Sequence, residues 1–261
     1  MKVISVINLK GGVAKTTSAV NIAHILATIH NKHVLLVDND KQGNASKMFN
    51  LHNYNKTSVS EILTDENIKI EETICSTRYP NLDIIPANMG LLNANLEVII
   101  DQERPQHTRF KEAFKNIADY YDYCIIDNAP DINISIINAL VASDEVLIPI
   151  KIDGFSFDGL AELKEQIDNV REDLNPNLNL RGCLVTCYQN NEVNRQGKEW
   201  LRNQEEYPLF HQHIRRSEKV YESTFAAIPI IEYSRKSGAA IDYIRFVKEY
   251  LEVSNSDTKE G

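Results

Sequence analysis

A short apolar strand, a glycine turn and a helix, joined without a break in the first thirty residues, limit this chain's fold more than any other feature. The run Val3-Ile4-Ser5-Val6-Ile7-Asn8 leads directly into Lys10-Gly11-Gly12-Val13-Ala14-Lys15-Thr16-Thr17, and the helical pattern Ala19-Val20-Asn21-Ile22-Ala23 follows. A strand that ends in a glycine loop and turns into a helix gathers backbone N–H groups at the positive end of the helix dipole. That arrangement suits a polyphosphate, so the segment is expected to hold the phosphates of a nucleotide.

The usual phosphate loop has glycine, four residues, then Gly-Lys-Ser/Thr. Here Leu9 and Ala14 stand at the two glycine positions, and an additional lysine, Lys10, precedes the ordinary one, Lys15. Gly11 and Gly12 leave room for the backbone to approach the phosphates, with Val13 and Ala14 completing the loop. Lys15 is placed to reach the β- and γ-phosphates of ATP, the Thr16 hydroxyl to meet Mg²⁺, and Thr17 to donate toward the α-phosphate. Lys10 sits too early to serve the same nucleotide in the same way.

Short β-rich runs alternate with amphipathic stretches along the chain, the pattern of a mostly parallel α/β sheet flanked by helices on both faces. Strands are expected at 2–8, 33–38, 81–86, 122–127, 145–150 and 180–186. Helices are expected at 15–30, 58–64, 91–102, 107–120, 133–142, 157–173, 193–204, 217–225 and 237–252. The polar, Asn-rich loop near 41–57 is the segment expected to move.

Two of these strands end in carboxylates, where open α/β sheets bind their ligands. Val34-Leu35-Leu36-Val37-Asp38-Asn39-Asp40 and Tyr123-Cys124-Ile125-Ile126-Asp127 both read as buried strands. A lone Asp at a strand end is commonly a capping or turn residue, but three beside a phosphate loop point to the metal and the attacking water. Asp127 is best placed to hold a water of the Mg²⁺ shell and Asp40 to orient the attacking water. Asp38 suits either a supporting place around the metal or a brace for the loop, and spacing alone does not separate it from Asp40.

At 261 residues the chain suits one P-loop ATPase domain over 1–253, with a polar tail over 254–261 expected to be disordered. Cys75, Cys124, Cys183 and Cys187 contain no Cys-x-x-Cys pair, which argues for reduced thiols rather than a metal or cluster. No apolar run approaches the ~20 residues that cross a bilayer, so a cytoplasmic protein without a membrane partner is expected. The seven histidines are dispersed, and Trp200 reads as a helix anchor. Charge is uneven: residues 1–194 carry a net −9, residues 195–248 a net +3 and the last thirteen a net −3. A basic stretch in an acidic chain can form one nucleic-acid-binding face.

The segments Lys10 to Thr17, Asp38 to Ser46 and Ile125 to Pro130 together resemble the deviant Walker A, A′ and B boxes of the ParA/MinD ATPases. Leu82 to Asn88, Val146 to Ile150, Ile214 to Ser217 and Tyr233 to Ala240 resemble further blocks of the same family, so the likeness spans essentially the whole chain. It implies an ATP-dependent sandwich homodimer in which Lys10 reaches the partner subunit's phosphates. In the ParA branch it further implies binding to double-stranded DNA of any sequence, a nucleoid location, and hydrolysis stimulated by a ParB-like centromere-binding activator. Arg216 matches an arginine implicated in DNA contact, and Arg215 and Ser217 match positions bordering adenine. With Lys219, Arg235, Lys236, Arg245 and Lys248, the two arginines make up the candidate DNA-contacting set.

Three positions depart from the family pattern: Ala14 for Gly, Lys41 for Pro, and Arg215-Arg216-Ser217 for Pro-Arg-Asn. No helix-turn-helix segment precedes the first strand, so operator-specific repression is not expected. A MinD-like ATPase acting at a membrane surface needs a basic amphipathic terminal helix, whereas the helix ending at Glu252 is closed by acids and a polar tail. A reductase resembling the nitrogenase iron protein would need cluster cysteines in loops, and a metabolic ATP-dependent ligase would need an acceptor site that no motif marks.

Overall fold

The computed structural model describes residues 1–154 and 156–260. The elements run β1 (Lys2–Val6), α1 (Lys15–Thr28), β2 (Val34–Asn39), α2 (Asn44–Met48), α3 (Val59–Thr64), β3 (Cys75–Ser76), β4 (Leu82–Ile85), α4 (Gly90–Ile100) and α5 (Arg109–Lys115). They continue with β5 (Tyr123–Asn128), α6 (Ile134–Ala142), β6 (Glu145–Lys151), α7 (Ser156–Asp173), β7 (Asn179–Thr186), α8 (Glu192–Arg202), α9 (Glu218–Phe225), α10 (Ile230–Ser234) and α11 (Gly238–Glu260). The strands form one seven-stranded sheet in the order β3-β4-β2-β5-β1-β6-β7, parallel except for the two-residue β3, which pairs antiparallel with β4. This bears out the expected mostly parallel sheet with helices around it.

Side-chain alternation explains why both faces of the sheet are covered. Ile4, Val6, Val34 and Leu36 pack on one face against α1 and α11, with Ala19, Ala23, Tyr243 and Phe246 in the same cluster. Val3, Leu35 and Val37 face the other way, into a cluster with Val59, Leu63, Phe110 and Phe114. A third cluster, with Ile148, Leu160, Leu163 and Ile167, lies between β6 and α7.

Element ends depart from expectation where side chains intervene. β1 stops at Val6 because Asn8 turns its amide to the Pro149 carbonyl (2.9 Å) and accepts from the Lys10 N–H (2.9 Å). The supposed loop at 41–57 contains α2, whose Ala45, Ser46 and Met48 are buried. α5 ends at Lys115, short of the expected 120, and α11 runs on to Glu260, eight residues past the expected end. Gly261 lies outside the described residues. The outer edge of β7 is occupied by the segment around 208–216, through bonds such as Cys183 N–H to Pro208 O (2.7 Å) and Ile214 N–H to Val185 O (2.8 Å).

A candidate nucleotide site at the strand ends

Strand register brings the candidate residues together before any side chain is considered. Asp38 on β2 lies beside Asp127 on β5, and Asp127 in turn lies beside Val6 on β1, where the phosphate loop begins. Gly12 (φ 73°) and Ala14 (φ 64°, ψ 32°) both take left-handed backbone, and Ala14 caps α1 without a side-chain hydrogen bond. The first amides of α1 thus lack a side-chain acceptor. A Cβ on Gly11 or Gly12 would meet nothing within 4 Å, so the loop faces open space. The Thr186 hydroxyl donates to the Val13 carbonyl (2.9 Å) and ties the loop to the end of β7.

The two lysines point to different places. Lys15 is 7% exposed, and its amine donates to the Lys10 carbonyl (2.9 Å) across the loop. Burial pulls its pKa down, while the nearby carboxylates of Asp127 and Asp40 pull it up. The Lys10 amine pairs instead with Asp153, on the segment after β6.

The three carboxylates also separate by environment. Asp38 is fully buried and accepts from the Ser46 N–H (2.8 Å), the Ser46 hydroxyl (2.7 Å) and the Asp40 N–H (3.3 Å). Ser46 Oγ then accepts from the Ala87 N–H (2.9 Å), so Asp38 anchors α2 to β2 and to the turn after β4. Burial pushes its pKa up to about 6 against these stabilising bonds. Asp40 is only half-buried and accepts from the Gln42 N–H (2.9 Å).

Asp127 is 1% exposed, and neither of its oxygens meets the geometry of a hydrogen bond among the described residues. Burial, then the charge of Asp38, push its carboxyl well above the usual range; the Thr16 hydroxyl and Lys15 oppose this, while Asp40 adds to it. A buried carboxylate without a partner, facing a threonine hydroxyl and a lysine, is costly unless a cation or ordered water meets it. This donor set fits a hydrated hard divalent ion such as Mg²⁺.

Beyond the loop, a cavity of about 220 Å³ is lined by Gly12, Ala14, Thr17, Cys187, Arg215, Ser217 and Tyr243, among others. Arg215 forms a bidentate pair with the buried Asp242 (2.7 and 2.8 Å), and Ser217 caps α9 without a side-chain bond. The other candidate DNA-contacting cations are exposed, and several have acidic neighbours: Arg216 with Glu218 (3.7 Å), Lys219 with Glu222 (2.7 Å) and Lys248 with Glu252 (3.7 Å). Arg235 and Lys236 follow α10, and Arg245 lies on α11. Sequence reasoning missed the roles of Ser46, Asp153 and Asp242 as partners of Asp38, Lys10 and Arg215: Ser46 shares a family block with Asp38 but sits in a stretch that reads as polar loop, and no motif links the other two pairs. The Trp200 ring packs tilted at 45° against Phe157, with ring centroids 4.3 Å apart, which joins α8 to α7.

A mostly parallel sheet with a phosphate loop after the interior strand β1, and carboxylates at the ends of the next two strands, β5 and β2, defines a P-loop nucleotide-binding protein. A family model described as an AAA domain matches residues 1–180. The chromosome partitioning protein ParA of Myxococcus xanthus is 33% identical over 252 residues, covering 96% of this chain and 88% of that protein. The sporulation initiation inhibitor protein Soj of Bacillus subtilis is 34% identical over 254 residues, covering 95% and 97%. The crystal structure of cobyrinic acid a,c-diamide synthase from Mycobacterium smegmatis with bound ADP and magnesium matches with a TM-score of 0.84 at 27% identity, covering 98% of this chain and 96% of that one. The chain belongs to the ParA-like family of P-loop ATPases.

Proposed function

We propose that the protein is a DNA-segregation ATPase, active as an ATP-dependent dimer on double-stranded DNA of any sequence. The observation that carries this reading is the division of labour between the two lysines: Lys15 turns into its own loop, while Lys10 turns away from it to Asp153. A cation outside its own phosphate site is available to a second subunit, in the manner of an arginine finger supplied in trans. Full-length similarity to ParA and Soj supports partitioning as the biological output. In this reading the protein works on the nucleoid, in the cytoplasm, with a ParB-like centromere-binding activator.

Bound Mg²⁺–ATP supplies the reactive phosphoanhydride and neutralises charge as it breaks. Thr16 and Asp127 would hold the metal, Asp127 through water. The loop amides from Gly11 to Thr17 and the Lys15 amine bind the phosphates, and Arg215 and Ser217 border the base. Asp40, half-exposed and free of the ties that bind Asp38 to α2, orients the attacking water. Asp38 braces the loop that carries Asp40.

Sedimentation with ATP, ADP and no nucleotide tests the dimer, and fluorescence anisotropy on unrelated duplexes over a salt series tests the DNA. Binding is expected only with ATP and should fall steeply with salt. Liposome binding in its place would move the protein to the membrane-surface branch. Asp40→Ala is expected to retain ATP, slow hydrolysis about 100-fold and prolong the dimer; unchanged turnover would assign the water to another group.

A further inference from the structure

We infer that Asp242 is a positioning residue for the nucleotide base, acting through Arg215. This rests on the nucleotide reading of the site and adds to it a residue 225 positions beyond the phosphate loop's last threonine, Thr17.

Asp242 lies in the first turns of α11 and is 1% exposed. Three donors of a single residue satisfy it: the Arg215 backbone N–H (3.0 Å), Nε (2.7 Å) and Nη2 (2.8 Å). A buried carboxylate so dependent on one partner is left without compensation when that partner moves, so the pair has one strongly preferred arrangement. Because the backbone N–H is among the donors, the carboxylate fixes the main chain at 215 as well as the side chain. Arg215 in turn lines the 220 Å³ cavity, together with Gly12, Ala14 and Thr17.

Two neighbours extend the device. Gly238, one turn earlier on α11, has no side chain where Arg215 lies; a Cβ there would stand 2.5 Å from Arg215 Cδ and 2.7 Å from Nε. Tyr243, the residue after Asp242, meets Ser18 Oγ (3.1 Å), and the Ser18 N–H donates to the Ala14 carbonyl (2.9 Å). Consecutive residues of one helix therefore grip the wall of the cavity and the first turn of the phosphate-loop helix. The separation between the two is set by α11, which makes Asp242 a determinant of how a ligand spans base cavity and phosphate loop at once.

A structural contribution would be felt by any ligand of the loop, whereas a base-positioning contribution is felt only by ligands that carry a base. Equilibrium affinities for ATP and for inorganic tripolyphosphate, both with Mg²⁺, separate them. In Asp242→Asn, ATP affinity is expected to fall about tenfold or more while tripolyphosphate affinity changes less than about twofold. Gly238→Ala displaces Arg215 without altering charge, favours the helix it starts, and should show the same selective loss. Equal losses for both ligands, or no loss of ATP affinity in either variant, would overturn the assignment. A wild-type protein that binds neither ligand would instead overturn the nucleotide reading, and the role of Asp242 with it.

Discussion

The strand ends around the phosphate loop and the net-basic stretch over 195–248 hold their charges in opposite ways. At the strand ends Asp38, Asp127 and Lys15 are buried, and their pKa values are displaced by burial. In the basic stretch the candidate DNA-contacting cations stand at the surface, only Asp242 among the carboxylates there being buried, and Arg216, Lys219 and Lys248 have acidic neighbours in their own or an adjoining turn. Buried charges without full compensation are kept at a cost to stability and point to a ligand. Exposed pairs contribute little and can be exchanged for phosphates of a polyanion. The first region should therefore respond to single substitutions with large, specific effects, and the second with small, graded ones.

The largest expected effect is on Lys15→Ala. Removing the loop's inward cation should weaken ATP binding at least about 100-fold, measured with labelled nucleotide at equilibrium. Near-normal affinity would break the contrast at its strongest point.

Asp127→Asn comes next and runs in two directions. The folded state raises the pKa of this carboxyl above its unfolded value, so the protonated form is the one folding favours. Its contribution is fully present below about pH 4 and is lost as pH rises through the folded value. Asp38, pushed up to about 6, behaves likewise over the window from pH 4 to 6. Asp127→Asn should thus raise the nucleotide-free melting temperature at pH 7.5 by about 3 °C or more, with the gain vanishing near pH 4, while Mg²⁺-dependent hydrolysis falls. A variant less stable than wild type at pH 7.5 would show that the carboxylate is compensated after all.

In the basic stretch, Arg216→Glu should weaken ATP-dependent DNA binding about tenfold, to the same extent on unrelated sequences. Basal ATP turnover should stay close to wild type. Anisotropy titrations at two salt concentrations check this, and a sequence-dependent loss would contradict backbone contact.

The smallest effect belongs to Ala14→Gly. Ala14 sits at φ 64°, where an L side chain costs about 1–2 kcal/mol, so glycine should stabilise the free protein by about 1 kcal/mol. Chemical denaturation resolves a shift of that size.

The same contrast explains what was legible in the sequence. Apolar runs fix where strands lie, and parallel register then delivers Asp38, Asp127 and the phosphate loop to one end of the sheet, the carboxyl ends of its interior strands, without help from side chains. The division between Asp38 and Asp40 was not legible, because it depends on Ser46 burying itself under β2 in a segment that reads as polar loop. Asp242 was invisible for a similar reason: its partner lies 27 residues away, and nothing local distinguishes it from a surface acid on an amphipathic helix. α5 was expected to be longer than it is, since the apolar spacing at Phe110, Phe114 and Ile117 continues past the helix end into tighter turns at Asn116, Ile117 and Tyr120.

The Lys10–Asp153 pair has a consequence for the energetics of pairing two subunits. A lysine that leaves home for a neighbour's phosphates abandons a carboxylate, so association on this mechanism is an ion exchange rather than a gain of new charge contacts. The free energy of such an exchange is the difference between the pair that is lost and the pair that forms, and is smaller than either. Asp153 would therefore be the anion that sets the threshold at which a lone subunit lets its lysine go.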